Sequence, residues 1–215
     1  MKLFVWDFHG VLESGTENTV FEISNQVLED FGYRERFTRQ ENHDLFGRKW
    51  YEYYEYLLPA QNHERHMSLQ QASFVMSDSR PDLMEKHIRP NDHAHDVLAT
   101  IAASHHQIII SNTKPSSLEL FIKAAHMTTY FGPANAFAVD MHHRDSGRSK
   151  HDVLRDYLAS VAVDKVVTIG DSPSDMVLTG PPQGVRYLYA HPDRVHKTAA
   201  ADFRISDLRD VLREI

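Results

Sequence analysis

The chain has 215 residues, of which 41% are hydrophobic and 25% charged, and it has no cysteine. This suits one sizeable core with an insertion, or two small domains, and it excludes a disulfide framework and thiolate chemistry. A formal charge of −7 argues against a nucleic-acid partner, which would want a basic face. No apolar run is long enough to span a bilayer, and the short apolar run after Lys2 stops at Asp7, unlike a signal peptide, so no membrane contact and a cytoplasmic location are expected.

Leu3 to Trp6 is an unbroken apolar run, the pattern of a strand buried on both faces. It ends at Asp7, and Gly10 three residues later lets the backbone turn tightly. Glu13 to Asn18 reads as a polar, flexible link. From Glu17 to Phe31 apolar residues recur at helical spacing, and Gly32 is a stop signal. Further helices are expected over about 39–46, 50–58 and 68–76, with Pro59 ending the second of these. No strand pattern falls between residues 16 and 88. Asn91 and Asp92 can cap a helix carrying Val97, Leu98 and Ile101.

Gln107 to Ser111 reads as a second buried strand, followed by a helix over about 116–126. Ala136 to Val139 is a third strand. Ser149 can cap a helix containing Val153, Leu154, Tyr157 and Leu158. Lys165 to Ile169 is a fourth strand, ending at Gly170-Asp171, and Pro173 suits the first turn of a short helix. Val185 to Tyr189 and Phe203 to Ile205 are further strands, and 207–212 is helical. Strands alternating with helices at this spacing imply an α/β fold with a doubly wound, parallel, Rossmann-like sheet. The helical block reads as an all-helical insertion at 16–87 in a core built from 1–15 and 88–215. The 15 histidines are scattered and read mostly as solvated surface residues. They make the net charge sensitive between about pH 5 and 8.

In a parallel sheet the strand C-termini lie along one edge, where such folds bind ligands. Asp7, Ser111 and Asp171 each sit at such an end, and Asp175 follows Asp171 by one helical turn. Clustered carboxylates repel one another unless a cation sits between them. Oxygen-only ligands select a hard ion, Mg²⁺ first. Lys150 sits at a helix N-terminus, where a cation opposes the helix dipole unless an anion offsets it.

These motifs resemble the haloacid dehalogenase superfamily. Its first motif, Asp-x-Asp-Gly-[Thr/Val], is matched by Asp7-Phe8-His9-Gly10-Val11 except at His9. Its second is matched by the apolar strand ending at Ser111-Asn112. Its third is a lysine, matched by Lys150 or, as an alternative, a basic neighbour such as Arg148. Its fourth, Gly-Asp-Ser-x-x-Asp, is matched in full by residues 170–175. A helical insertion after the first strand is similar to the family's C1-type cap. The resemblance implies a phosphatase acting on a small phosphorylated metabolite, with Asp7 as the nucleophile that forms an aspartyl-phosphate. It implies Mg²⁺ held by Asp7, the backbone carbonyl of His9, Asp171 and Asp175. It further implies that Ser111 and Lys150 hold phosphoryl oxygens, that Asn112 adds a substrate contact, and that Arg48 in the insertion reads an anionic group.

Family phosphatases usually carry Asp where this chain has His9, acting as general acid and then as base. Imidazole can also give and take a proton, with an ordinary pKa of about 6.5 against about 3.9 for Asp. His9 is therefore expected to substitute in that role. The alternative is a catalytically weak or non-hydrolytic member that binds phosphate and serves a regulatory role. Signalling receiver modules gather similar groups, but their acidic pair ends the first strand, and they lack an insertion.

Overall fold

The structure, a computed structural model, describes residues 1–140, 148–178, 184–191 and 198–215. The chain divides into two compact units, Met1–Ser14 with Arg89–Ile215, and Gly15–Ile88.

The first unit is built on a six-stranded sheet whose neighbours all pair in parallel. Strand β1 (Lys2–Trp6) lies between β4 (His106–Ser111) and β6 (Lys165–Gly170); β5 (Ala136–Ala138) flanks β4, and β7 (Gly184–Tyr189) and β8 (Phe203–Ile205) follow β6. Two short strands, β2 (Glu13–Ser14) and β3 (Arg89–Pro90), pair antiparallel as a separate ladder. The central strands carry apolar side chains on both faces, as β1's sequence requires, so successive residues pack into opposite layers. Leu3 and Val5 join Ile108, Ile110, Val153, Leu154 and Val166 in one buried cluster. On the other face Phe4 stacks on Trp6 and on the ring of His105. Helices α6 (Ala94–Ala102), α7 (Pro115–Ala124), α8 (Lys150–Leu158) and α9 (Pro173–Met176) connect the strands, and a 3₁₀ helix at Leu208–Glu214 follows the last of them.

The 3₁₀ helix is tied down through Glu214. Its carboxylate accepts hydrogen bonds from Lys165 Nζ at 2.7 Å and from Tyr187 Oη at 2.9 Å, and Lys2 Nζ also donates to its backbone carbonyl. Burial opposes ionisation of Glu214, but the bonds from Lys165 and Tyr187 outweigh it and hold the carboxyl below its usual range. A depressed carboxylate contributes stability that is present above its unfolded pKa, about 4.3, and is lost as pH falls through the folded value. Glu214→Gln is expected to cost roughly 1–2 kcal/mol at neutral pH. Thermal melts at neutral and acid pH should show the gap to wild type narrowing in acid. An equal gap at both would count against the charged bonds as its source.

The second unit contains helices α1 (Thr16–Asp30), α2 (Arg39–Leu45), α3 (Trp50–Leu57), α4 (His63–Ser79) and α5 (Pro81–His87). Its centre is aromatic. Tyr53 and Tyr54 are buried, Phe37 packs edge-on against Tyr53, and Tyr54 Oη and Ser73 Oγ lie 2.6 Å apart. Trp50 Nε1 donates to Ser24 Oγ at 2.8 Å.

Several local expectations are corrected. Glu13 is not part of a flexible link: it is fully buried and lies in β2. Helix α4 begins at His63 rather than near residue 68, because Asn62 caps it by accepting from the Arg65 amide. Helix α5 goes unpredicted, since Pro81 stands at its first turn, where proline starts a helix rather than breaking one. The residue before α6 is His93, in the left-handed region at φ 64°, not Asn91 or Asp92. Asn91 is buried instead, donating to the Val11 carbonyl at 2.8 Å. The described histidines are more enclosed than expected, although only His66 is buried. Among the described residues only His63, His93, His126 and His151 are exposed. His66 is buried, with Nε2 3.0 Å from the Leu58 carbonyl oxygen.

Candidate active site

The β1, β4 and β6 strand ends bring the chemistry-bearing residues of the first unit together. Asp7 leaves β1 with its amide donating to the Ile169 carbonyl on β6 at 2.8 Å, which pins the turn to the sheet. Gly10 takes φ 85°, a conformation that side chains resist. Asp171 follows β6 directly. Asp175 sits in α9, where it completes a capping box: its Oδ2 accepts from the Ser172 amide at 3.1 Å and from Ser172 Oγ at 2.5 Å. One carboxylate oxygen from each of Asp7, Asp171 and Asp175 lies within 4.8 Å of the others.

Lys150 joins them. As the first residue of α8, positioned by the Ser149 cap, it donates to Asp7 Oδ1 at 2.8 Å and to Asp175 Oδ1 at 2.6 Å. It is only 6% exposed, so these are buried ion pairs. The basic neighbour Arg148 is exposed and pairs with Asp156 at 2.9 Å instead. Of the two, Lys150 is the one at the carboxylates.

Three carboxylates face one ammonium, and the electrostatics reflect that imbalance. Burial pushes the Asp7 carboxyl up to about 7; Lys150 opposes the shift, while Asp175 and Asp171 add to it. Burial disfavours the charged form of Lys150, but Asp7 and Asp175 outweigh it and hold the ammonium protonated well above its ordinary range. An oxygen-only donor set short of positive charge fits a hard divalent cation.

Ser111, at the end of β4, is 1% exposed, and its Oγ has no hydrogen-bond partner among the described residues. A buried hydroxyl in that condition costs free energy unless a ligand or water meets it. Asn112 is exposed. Arg48 belongs to the other unit, exposed in the turn between α2 and α3, where its amide donates to the Leu45 carbonyl at 3.0 Å. His9 is partly buried and its ring packs edge-on against Phe121, 4.7 Å between centroids. Its Nδ1 lies 2.8 Å from Glu13 Oε1. Glu13 escapes sequence reasoning because it sits in a polar run, but its position four residues after His9 is a signal that could have found it.

Gly170 has a steric task here. A Cβ at that position would overlap the Asp175 side chain. Gly170→Ala is expected to displace Asp175 and cost about 1–3 kcal/mol, seen as a fall in Tm of several degrees. An unchanged Tm would mean that Asp175 has room to move.

The chain matches the family model of haloacid dehalogenase-like hydrolases over residues 4–188 and belongs to that family. Among solved structures it is similar to a haloacid dehalogenase-superfamily hydrolase, subfamily IA, variant 1, from Geobacter sulfurreducens: 14% identity, TM-score 0.74, covering 100% of this chain and 96% of that one. It is similar to a predicted phosphoglycolate phosphatase from Haemophilus somnus at 11% identity and TM-score 0.77, covering 100% and 97%. CbbY from Rhodobacter sphaeroides, solved in complex with phosphate, matches at 18% identity and TM-score 0.73, covering 97% and 95%. At these identities the likeness concerns the fold. No curated protein matches the sequence. No helix among the described residues is long and apolar enough to cross a membrane.

Proposed function

We propose that this hydrolase is a Mg²⁺-dependent phosphatase that cleaves a small phosphorylated metabolite through an aspartyl-phosphate on Asp7. The observation that carries the reading is the buried cluster in which Lys150 bridges Asp7 and Asp175, with Asp171 beside them. The Ser111 hydroxyl, without a partner among the described residues, supports a phosphoryl site nearby, as does the phosphate held by one fold relative.

Asp7, Asp171 and Asp175, with the His9 backbone carbonyl, would hold the cation. When bound, Mg²⁺ supplies positive charge that offsets the repulsion between a carboxylate and a phosphate dianion. The Asp7 carboxylate attacks phosphorus as the bond from phosphorus to the leaving oxygen breaks. His9 gives that oxygen a proton. Water then attacks the phosphoryl group on Asp7, His9 takes the water's proton, and the Asp7 carboxylate is regenerated as phosphate departs. Lys150 and Ser111 donate to phosphoryl oxygens as charge shifts onto them, and Asn112 adds a contact. The helical unit, inserted after β1 in chain order, reads as a cap that selects substrate and excludes water, with Arg48 reading an anionic group.

The test is phosphate release from a panel of small phosphate esters, with Mg²⁺ and with a chelator. Turnover that requires the metal is expected. Metal binding without release from any ester would favour a phosphate-binding, regulatory role, and release unaffected by chelation would overturn the metal's part.

A further inference from the structure

We infer that Glu13 is the positioning residue for His9: it holds the imidazole through Nδ1, so that Nε2 is the nitrogen that exchanges the proton. The inference rests on the phosphatase reading above and deepens it.

Glu13 has no exposed surface, and a buried carboxylate is costly unless it is paired. The strand β2 that carries it is held by its backbone. The Glu13 carbonyl accepts from the Gly10 amide at 3.0 Å and from Asn91 Nδ2 at 3.3 Å, and Glu13 pairs with Pro90 across the ladder. Its side chain reaches Nδ1 of His9 at 2.8 Å. The imidazole is also packed between rings, edge-on to Phe8 at 5.3 Å and to Phe121 at 4.7 Å between centroids. Its plane and its tautomer are therefore both set. A carboxylate accepts from an imidazole N–H, so the proton stays on Nδ1, directed at Glu13, while the ring works through its other nitrogen.

The proton path follows from this. Nε2–H is transferred to the leaving oxygen as the Asp7–phosphorus bond forms and the ester bond breaks. The neutral ring then takes a proton at Nε2 from the water that displaces Asp7 from phosphorus. Glu13 keeps the same hydrogen bond throughout and exchanges no proton. His9 and Glu13 are thus a coupled pair. Restoring the family's Asp at position 9 would set two carboxylates side by side in a buried turn, so His9→Asp alone is expected to lower kcat.

The experiment has two arms. The first uses the ¹⁵N-histidine-labelled wild-type protein at a pH well above the ordinary imidazole range, with the His9 signals assigned by their loss in His9→Asn. A single Nδ1–H tautomer is expected for His9, and an Nε2–H tautomer or a mixture would overturn the inference. This arm needs no turnover, so it decides the positioning claim even if the phosphatase reading fails. The second arm is kinetic. Glu13→Leu, similar in shape but unable to accept a hydrogen bond, should lower kcat by about 10–100-fold with KM little changed. The same substitution made in a His9→Ala background should cost less than about twofold. An equal loss in both backgrounds would mean that Glu13 acts structurally rather than through His9. If Glu13→Leu fails to fold, Glu13→Gln replaces it. In that variant a mixed His9 tautomer together with a lowered kcat supports the inference, and a kcat like wild type despite an Nε2–H form would overturn it.

Discussion

Asp7→Asn is expected to reduce turnover by about 10⁴-fold or more and, in metal-free buffer at neutral pH, to melt at a higher temperature than the wild type. The loss follows from removing the nucleophile of the proposed reaction. The gain follows from the charge imbalance. Burial, reinforced by Asp175 and Asp171 and opposed by Lys150, pushes the Asp7 carboxyl up to about 7, well above the value near 3.9 of an exposed Asp. Between about pH 4 and 7 the unfolded chain has released a proton that the folded protein still holds. The folded state binds more protons, so stability falls as pH rises through that window. Asn carries no such cost at any pH, and its amide oxygen can still accept from Lys150. The difference in Tm should therefore open between about pH 4 and 7 and reach a few degrees, from a stabilisation on the order of 2 kcal/mol. Thermal melts across that range with a chelator present check it. A lower Tm for Asp7→Asn at every pH would show that the ion pair to Lys150 outweighs the desolvation of Asp7.

Lys150→Met is expected to act in the opposite sense. Lys150 is buried and donates to two carboxylates. Removing it leaves Asp7 and Asp175 without the cation they share, with the Asp171 carboxylate close by. Breaking a buried pair from one side costs about 3–5 kcal/mol, or roughly 10 °C in Tm for a chain of this size. Two further readings separate a charge effect from lost packing. The deficit should shrink in acid, where the carboxylates take up protons. Mg²⁺ should also raise the Tm of Lys150→Met more than that of the wild type, because the ion then supplies charge that Lys150 otherwise provides. A deficit unchanged by pH and by Mg²⁺ would assign the loss to packing alone.

The parallel sheet was legible because its central strands are continuous apolar runs, and such runs have few other homes in a soluble fold. The convergence of Asp7, Lys150 and Asp175 was legible for a topological reason: parallel strands end on one edge, and Ser149 and Pro173 announce the helices that carry the other two residues. Glu13 was not legible. Glu13-Ser14-Gly15-Thr16 has the composition of a surface turn, and its burial is imposed by Arg89–Pro90, far away in the chain. No local pattern reports such a pairing. The start of α4 and the existence of α5 were missed for local reasons, a cap at Asn62 and a proline at the first turn, both of which a closer reading of helix signals can find. Which histidines are half-enclosed was not legible, because imidazole is tolerated in either setting and only the tertiary neighbours decide which one a given ring occupies.

The order of strands in the sheet has a consequence for how the chain reaches this state. Strand β1 leaves the ribosome well before the strands it needs, because Leu3 pairs with His106 and Lys2 with Lys165. Its partners are synthesised only after the whole helical unit has passed. Contacts at that sequence separation form late and slowly. Until they do, the run Leu3-Phe4-Val5-Trp6 is an unpaired apolar strand of the kind that chaperones bind and that associates between chains. The segment that presents Asp7 is thus also the segment most in need of protection during biosynthesis, and yields of soluble protein should depend on how fast the chain delivers β4 and β6 to it.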